Sequence, residues 1–184
     1  MDTLYGIVAL PPQPLRRWIE NFQKRHSLAA YGEAHLNLRS PFGWSGSETE
    51  LIAALERHLG HLPPLEVRLG KWDRFSSTVF IDVEKTPQLE QFHRAALEIP
   101  GAQTSSFDGD AFSPHLTVAL GICPWAYRRI WREIHSEDVP VARWTSSELY
   151  LARDAGGELE RVGRLELGKL ESAKFESGRV LVAR

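Results

Sequence analysis

Two histidines, His35 and His115, begin the same four-residue pattern 80 residues apart. The pattern is histidine, apolar, small polar, apolar: residues 35–38 read HLNL and residues 115–118 read HLTV. Imidazole has an unperturbed pKa of about 6.5, so it donates and accepts protons readily near neutral pH. Two such groups facing one another indicate an acid and a base.

Both copies of the pattern predict a β-strand. Successive side chains of a strand point to opposite faces, so each histidine and the residue two positions later share one face. The two leucines of the first copy, or Leu116 and Val118 of the second, then face the core. Each strand therefore carries two polar groups into a shared cleft.

The elements around the first copy are predicted by apolar periodicity and by turn residues. Residues 4–10 predict a strand that two prolines end. A helix follows, with apolar residues at i, i+3, i+4 and i+7: Leu15, Trp18, Ile19 and Phe22. After the first histidine strand, Ser47 and Glu50 have the spacing of a capping box and predict the start of a second helix.

The chain between the two copies predicts two antiparallel strands and a third helix. The strands are expected at residues 65–70 and 78–84, joined by a turn over 71–75. Thr86 caps the helix, and Pro87 occupies its first position. Residues 100–113 are polar and without period directly before the second copy, and a connection of that length is often functional.

Beyond the second copy we expect a helix that opens at Pro124, a hairpin from strands 146–153 and 158–167, and a last short strand over 179–183. The order strand, helix, histidine strand occurs in both halves of the chain, but no linker divides them. We therefore expect one domain over residues 1–184.

Composition excludes several classes of protein. The 184 residues are 42% hydrophobic and 25% charged, which is typical of a globular protein rather than a disordered one. No apolar run approaches the roughly 20 residues of a membrane span, so we expect a soluble cytoplasmic protein. The net charge of −2 argues against binding to long nucleic acid through many phosphate contacts. Cys123 is the single cysteine, which rules out an internal disulfide and a multi-cysteine metal site.

The two motifs and their setting resemble the two-histidine phosphoesterase superfamily, which includes 2′-5′ RNA ligase-like proteins and 2′,3′-cyclic nucleotide phosphodiesterases. The second copy, with Phe112 and Pro114 before it, fits the family motif fully. The first copy departs from it at Asn37, where the family has threonine or serine. The resemblance implies a bilobal α+β fold: two pseudo-symmetric antiparallel sheets, outer helices and a central cleft that holds the histidines.

The resemblance also implies hydrolysis of 2′,3′-cyclic phosphates by general acid and base catalysis. His35 and His115 would be the catalytic pair, and losing either should lower the rate severely. Thr117 and Asn37 would hydrogen-bond the non-bridging phosphate oxygens. The scheme requires no metal and no cofactor, and sequence does not say which histidine is the acid.

Residues for substrate recognition are less defined. Arg39 is interpreted as a phosphate contact or, alternatively, as a solvated strand end. Aromatic and basic residues near the motifs are candidates to contact the base or to form the rim of the cleft: Phe42, Trp44, Trp72, Arg74 and Phe75. In the alternative interpretation, the aromatic residues belong to the core and the charged residues lie beside them on the surface. The other five histidines, including His93, are interpreted as surface residues of helices.

Alternative functions stay open at this point. The same acid and base could join RNA ends through a 2′-5′ linkage or trim RNA 3′ ends. A third alternative is a non-catalytic module that binds nucleotides or RNA ends, if Asn37 weakened catalysis. In each case the expected partner is a nucleotide or RNA end, and the expected state is a monomer.

Overall fold

The computed structural model describes residues 3–28, 32–154, 156 and 159–168. This part of the chain forms nine strands and four α-helices. The strands are β1 (Leu4–Ala9), β2 (Leu36–Asn37), β3 (Phe42–Gly43), β4 (Leu65–Arg74), β5 (Val79–Val83), β6 (His115–Ala119), β7 (Arg143–Ser146), β8 (Glu148–Asp154) and β9 (Leu159–Glu166). The helices are α1 (Gln13–Arg25), α2 (Glu48–Leu59), α3 (Pro87–Leu97) and α4 (Tyr127–His135).

The strands pair antiparallel in one sheet, in the order β7-β4-β5-β6-β2-β1-β8-β9, with β3 also paired to β1. The predicted α+β class is confirmed. The number of sheets differs from the prediction, because the two histidine strands pair with each other and join both halves. Leu36 of β2 lies opposite Leu116 of β6 at this junction.

The helices cover the sheet face opposite the histidine side chains. Leu116 and Val118 of β6 pack in one apolar cluster with residues of α1 and α4. Leu36 and Leu38 pack in a second cluster with residues of α2 and α3. Since side chains alternate along a strand, the motif histidines and their polar partners are left on the open face.

Local capping signals are confirmed. The Ser47 hydroxyl accepts a hydrogen bond from the backbone N–H of Glu50, and the Glu50 carboxylate accepts one from the Ser47 backbone N–H. The hydroxyl of Thr86 likewise accepts the N–H of Leu89 at the start of α3. These contacts fix where α2 and α3 begin.

Three predicted elements differ or cannot be compared. Strand β4 runs to Arg74 instead of ending near residue 70, because an irregularity between Leu69 and Trp72 lets it continue beside β5. Helix α4 begins at Tyr127 rather than at the proline three residues earlier. The strand expected over 179–183 lies outside the described residues. Among the described helices, none has the length and apolar character needed to cross a membrane.

Candidate active site

The register of β2 and β6 brings the four polar motif residues into one patch. With Leu36 opposite Leu116, antiparallel pairing places His35 opposite Thr117 and Asn37 opposite His115. Diagonal neighbours in such a pair have their Cα atoms about 7–8 Å apart, which is the relation between the two histidines. The four polar side chains therefore lie together on one face of the sheet.

Each imidazole is held by the backbone carbonyl two residues before it. Nδ1 of His35 lies 2.7 Å from the Glu33 carbonyl oxygen, and Nδ1 of His115 lies 2.8 Å from that of Ser113. A carbonyl oxygen only accepts, so Nδ1 carries the hydrogen in both rings. Nε2 of each neutral ring is therefore the nitrogen that can accept a proton.

His35 is poised as a neutral imidazole. Its pKa lies below the ordinary histidine value because burial penalises the charged ring, and a positive charge on nearby His115 lowers it further. The hydrogen bond to the Glu33 carbonyl opposes this shift and does not cancel it. A neutral imidazole at neutral pH can accept a proton.

His115 has a carboxylate and aromatic rings as neighbours. Asp82 of β5 lies directly across from it in the sheet. Burial raises the pKa of Asp82, Asp73 adds to this effect, and a positive charge on His115 opposes it. The His115 ring centroid lies 4.8 Å from that of Phe80 and 5.6 Å, edge-on, from that of Phe75.

A cleft of about 430 Å³ opens beside His115 and Asn37. Its walls are mainly apolar: Phe75 and Phe107 are exposed at 53% and 71%, and Phe112 is buried. The residues that complete the lining are Arg39, Ser40, Pro41, Ala111, Ser113 and Pro114. The size suits a nucleoside, and the exposed rings suit a planar base.

Arg39 borders the cleft and is neither a solvated strand end nor a free phosphate ligand. It is fully buried, and its guanidinium donates to the carbonyls of Ala96 and Gln103 at 3.0 and 2.5 Å. It also lies 3.4 Å from the Asp108 carboxylate and 4.4 Å from the Phe42 ring centroid. These contacts argue against the predicted direct phosphate contact and give Arg39 a supporting role.

Asp108 connects the end of the first motif to the loop before the second. One carboxylate oxygen accepts the N–H of Ser40 at 2.8 Å, and the other accepts that of Ser105 at 2.9 Å. Burial raises the pKa of Asp108, but these two bonds and the Arg39 charge outweigh it and hold the pKa below its usual value. The loop over 100–113 is thus anchored to the motif that contains His35.

His93 makes a second connection, so its interpretation as a surface residue is wrong. It is buried at 4% exposure in α3. Its Nδ1 donates to the Leu38 carbonyl at 2.8 Å, its Nε2 accepts the N–H of Gly109 at 3.0 Å, and its ring stacks on Phe112 at 3.8 Å. The buried apolar residues of α3 are Leu89, Phe92 and Ala96, and His93 directly follows Phe92 beside them.

Asn37 has room in the patch because a glycine lies next to it. A Cβ placed on Gly6 of β1 would lie 3.2 Å from Oδ1 of Asn37. Strand β1 pairs with β2 through Val8 and Asn37. A larger residue at Gly6 would press on the amide, and isolated glycine in a strand is the sequence signal for such close approach.

Of the five predicted rim residues, Phe75 alone lines the cleft. Phe42 is buried in the core. Trp44 donates to the Ser47 carbonyl, Trp72 packs on Trp18 at 6.1 Å, and the Arg74 guanidinium lies 4.9 Å from the Trp131 ring centroid. These four side chains contact other parts of the protein and do not line the cleft. The sequence analysis did not identify Phe107, Asp82 or Asp108. The length and composition of residues 100–113 indicated a functional loop, but they did not indicate which of its residues are important.

Within the described ranges, no three His, Cys, Asp or Glu side chains lie together as a metal site. The arrangement instead offers two imidazoles, two hydrogen-bonding side chains and an aromatic cleft. Such a set can exchange protons with, and orient, a phosphate ester that carries a base.

Comparisons with known proteins give the fold and the family of the chain. Escherichia coli LigT, solved in complex with 3′-AMP, is similar with a TM-score of 0.60 and 16% identity, over 92% of this chain and 100% of that chain. The protein TT0787 of Thermus thermophilus has a TM-score of 0.57 and 18% identity, over 90% of this chain and 98% of its own. These similarities show the fold. No curated protein matches the sequence. A family model described as the 2′-5′ RNA ligase superfamily matches residues 11–158, and the chain therefore belongs to that superfamily.

Proposed function

We propose that the protein is a phosphodiesterase that hydrolyses 2′,3′-cyclic phosphates of nucleotides or RNA ends without a metal ion. The observation that carries the proposal is the patch on β2 and β6: His35 and His115 with Nδ1 of each bound to a carbonyl, and Thr117 and Asn37 beside them. The complexes of Escherichia coli LigT with 3′-AMP, ATP and NADP⁺ support a nucleotide as the ligand class.

His35 acts as the general base in this proposal. Its lowered pKa keeps Nε2 unprotonated near neutral pH, so it can take a proton from water as the water oxygen attacks phosphorus. His115 acts as the general acid. The Asp82 carboxylate lies across the strand pair from His115, and the His115 ring gives its proton to the departing sugar oxygen.

The proton balance closes without a metal. One proton passes from water to His35, one bond forms between the water oxygen and phosphorus, and one phosphorus–sugar oxygen bond breaks. The released oxygen takes the His115 proton. Thr117 and Asn37 donate to the non-bridging oxygens as negative charge builds on them.

The apolar cleft holds the nucleoside. Phe75 and Phe107 are exposed at its mouth, and the Phe75 ring already lies against the His115 ring. A base stacked there keeps its attached phosphate at the histidine patch. The lining contains few polar groups, which favours stacking over reading of a particular base.

Hydrolysis of the four 2′,3′-cyclic mononucleotides, measured with EDTA present, tests the proposal. We expect turnover by the wild type and losses of about 10²- to 10⁴-fold in His35→Gln and in His115→Gln. His61→Gln is the matched control, since His61 is exposed and outside the patch. No turnover by the wild type, or full activity in either patch variant, would refute the proposal.

A second candidate is formation or cleavage of a 2′-5′ linkage between nucleotides. Two smaller cavities, of about 220 and 240 Å³, meet at His35, where the attacking water would bind. A nucleotide 5′-hydroxyl could occupy that position in place of water. Incubation of RNA ends that carry a cyclic phosphate with 5′-hydroxyl RNA, followed by linkage-specific digestion, separates this reaction from hydrolysis.

A further inference from the structure

A cavity of about 330 Å³ lies on the strand pair β4 and β7, at the end of the sheet. We call it the edge cavity. Three residues of each strand line it: Glu66, Val67, Arg68, Arg143, Trp144 and Thr145. None of them lines the aromatic cleft or belongs to the histidine patch. The proposed reaction therefore gives this cavity no role.

Arg68 and Arg143 lie directly opposite one another in the edge cavity. The backbone N–H of Leu69 donates to the carbonyl of Ala142 at 2.8 Å, so the next pair along, formed by the two arginines, takes a non-hydrogen-bonded position. Opposite residues are closest at such a position, with Cα atoms about 4.5 Å apart. Like charges directly opposite each other destabilise a strand pair. The two guanidinium groups therefore repel each other unless an anion lies between them.

The charges that line the edge cavity favour an anion. Arg143 is exposed and makes no ion pair or side-chain hydrogen bond within the described residues. Arg68 lies 3.4 Å from the Glu66 carboxylate, but both side chains are more than half exposed, at 53% and 61%. Water screens such an ion pair, so it stabilises little and a ligand can displace it. Two arginines and one glutamate leave an excess of one positive charge.

The edge cavity is too far from the histidine patch to hold the same phosphate. Arg68 is on β4, which lies two strands away from β6 and His115. Neighbouring strands are about 4.8 Å apart, so the two backbones are separated by about 10 Å. The strand between them carries Asp82 opposite His115, and this carboxylate disfavours an anion that would bridge the two. The edge cavity is therefore a separate site.

We propose that Arg68 and Arg143 bind a phosphate group, either as free phosphate or as the phosphomonoester of a small molecule. Guanidinium groups pair their donors with phosphate oxygens, so two of them can hold one phosphate from both sides. Thr145 lies opposite Glu66 on the same face, and its hydroxyl supplies a further donor. A bound phosphate also removes the repulsion between the arginines. The site is independent of the proposed reaction.

NMR titration with inorganic phosphate at constant ionic strength tests the site, because backbone amides report the edge cavity and the histidine patch separately. We expect saturable shifts at the amides of residues 143–146 in the wild type. In Arg143→Gln the dissociation constant for this response should rise by about tenfold or more, because a charge-assisted contact is lost. The amide of His115 should respond as in the wild type. Arg128→Gln is the matched control, since it removes another exposed arginine that has no ion pair within the described residues.

Two further measurements separate phosphate binding from a structural role of the arginines. Glu66→Gln removes the competing carboxylate and should tighten phosphate binding. Without phosphate, the melting temperature of Arg143→Gln should equal or exceed that of the wild type, because the like-charge repulsion is gone. A structural role for Arg143 predicts a lower melting temperature. Added phosphate should then raise the melting temperature of the wild type more than that of Arg143→Gln.

Ribose 5-phosphate distinguishes the two sources of the phosphate group. Saturable binding of this probe at the same amides assigns the site to a phosphomonoester, whereas binding of inorganic phosphate alone assigns it to the free ion. Shifts that sodium chloride reproduces would be an effect of ionic strength and would overturn the proposal. The same phosphate dissociation constant in the wild type and in Arg143→Gln would overturn it as well.

Discussion

Replacing Asp108 by alanine should destabilise the protein and disturb the active site together. The change leaves the fully buried Arg39 without its carboxylate and removes the acceptor for the N–H groups of Ser40 and Ser105. Breaking a buried ion pair by removing one partner costs about 3–5 kcal/mol. We therefore expect the free energy of unfolding of Asp108→Ala to fall by about that amount.

The assay is urea unfolding followed by tryptophan fluorescence, with the free energy and the m-value fitted together. Asp110→Ala is the matched control, because Asp110 is exposed in the same loop and its replacement should cost no more than about 0.5 kcal/mol. The same loop positions Ser113, whose carbonyl orients His115. The kcat/KM of Asp108→Ala should therefore fall as well, by up to roughly 10²-fold. A loss below about 1 kcal/mol in Asp108→Ala would show that the contacts of Asp108 do not anchor the loop over 100–113.

The pH dependence of this effect has a definite sign. The folded pKa of Asp108 lies below its usual carboxyl value of about 4, so its stabilising contribution is fully present above that value. It is lost as the pH falls through the folded pKa. The stability difference between the wild type and Asp108→Asn should shrink below about pH 4. A difference that stays constant down to about pH 2 contradicts the assignment.

Three further predictions concern the phosphate patch and the cleft. In His115→Gln the pKa of His35 should rise, because a nearby positive charge has gone; proton NMR titration measures it, and an unchanged or lower value contradicts the coupling. Asn37→Ala should lower kcat by about 10²-fold by removing a phosphate donor, whereas Asn37→Thr should keep most of the activity; equal rates in all three proteins would exclude Asn37 from the reaction. Phe75→Ala should raise KM for cyclic mononucleotides by about tenfold through lost stacking, while Trp125→Ala, at an exposed site outside the cleft lining, should not; the same KM in both variants argues against a base at Phe75.

The placement of His35 and His115 on one face of the sheet was predictable because its signal is local. Alternation within residues 35–38 and 115–118 assigns each polar side chain to a face, and the resemblance supplied their common cleft. The caps at Ser47 and Thr86 were predictable for the same reason, since each contact spans three residues. Such features need no knowledge of distant parts of the chain.

The contacts of Arg39, Asp108 and His93 were not predictable from a local sequence pattern. Arg39 and Asp108 are 69 residues apart, and His93 contacts the carbonyl of a residue 55 positions away. No periodicity relates residues at such separations. An arginine after a motif and a histidine in a helix are ordinarily exposed, and here tertiary packing overrides that tendency. The pairing of β2 with β6, which joins two expected sheets into one, is likewise a long-range contact.

In the proposed reaction, His35 and His115 act on one phosphorus in one step. The most direct test is kcat/KM for a 2′,3′-cyclic mononucleotide in the double variant His35→Gln/His115→Gln, beside the two single variants. Groups that act as a unit are not additive, so the double variant should lose little more than the worse single variant. Losses that multiply, or a single variant with the wild-type rate, would contradict a shared site.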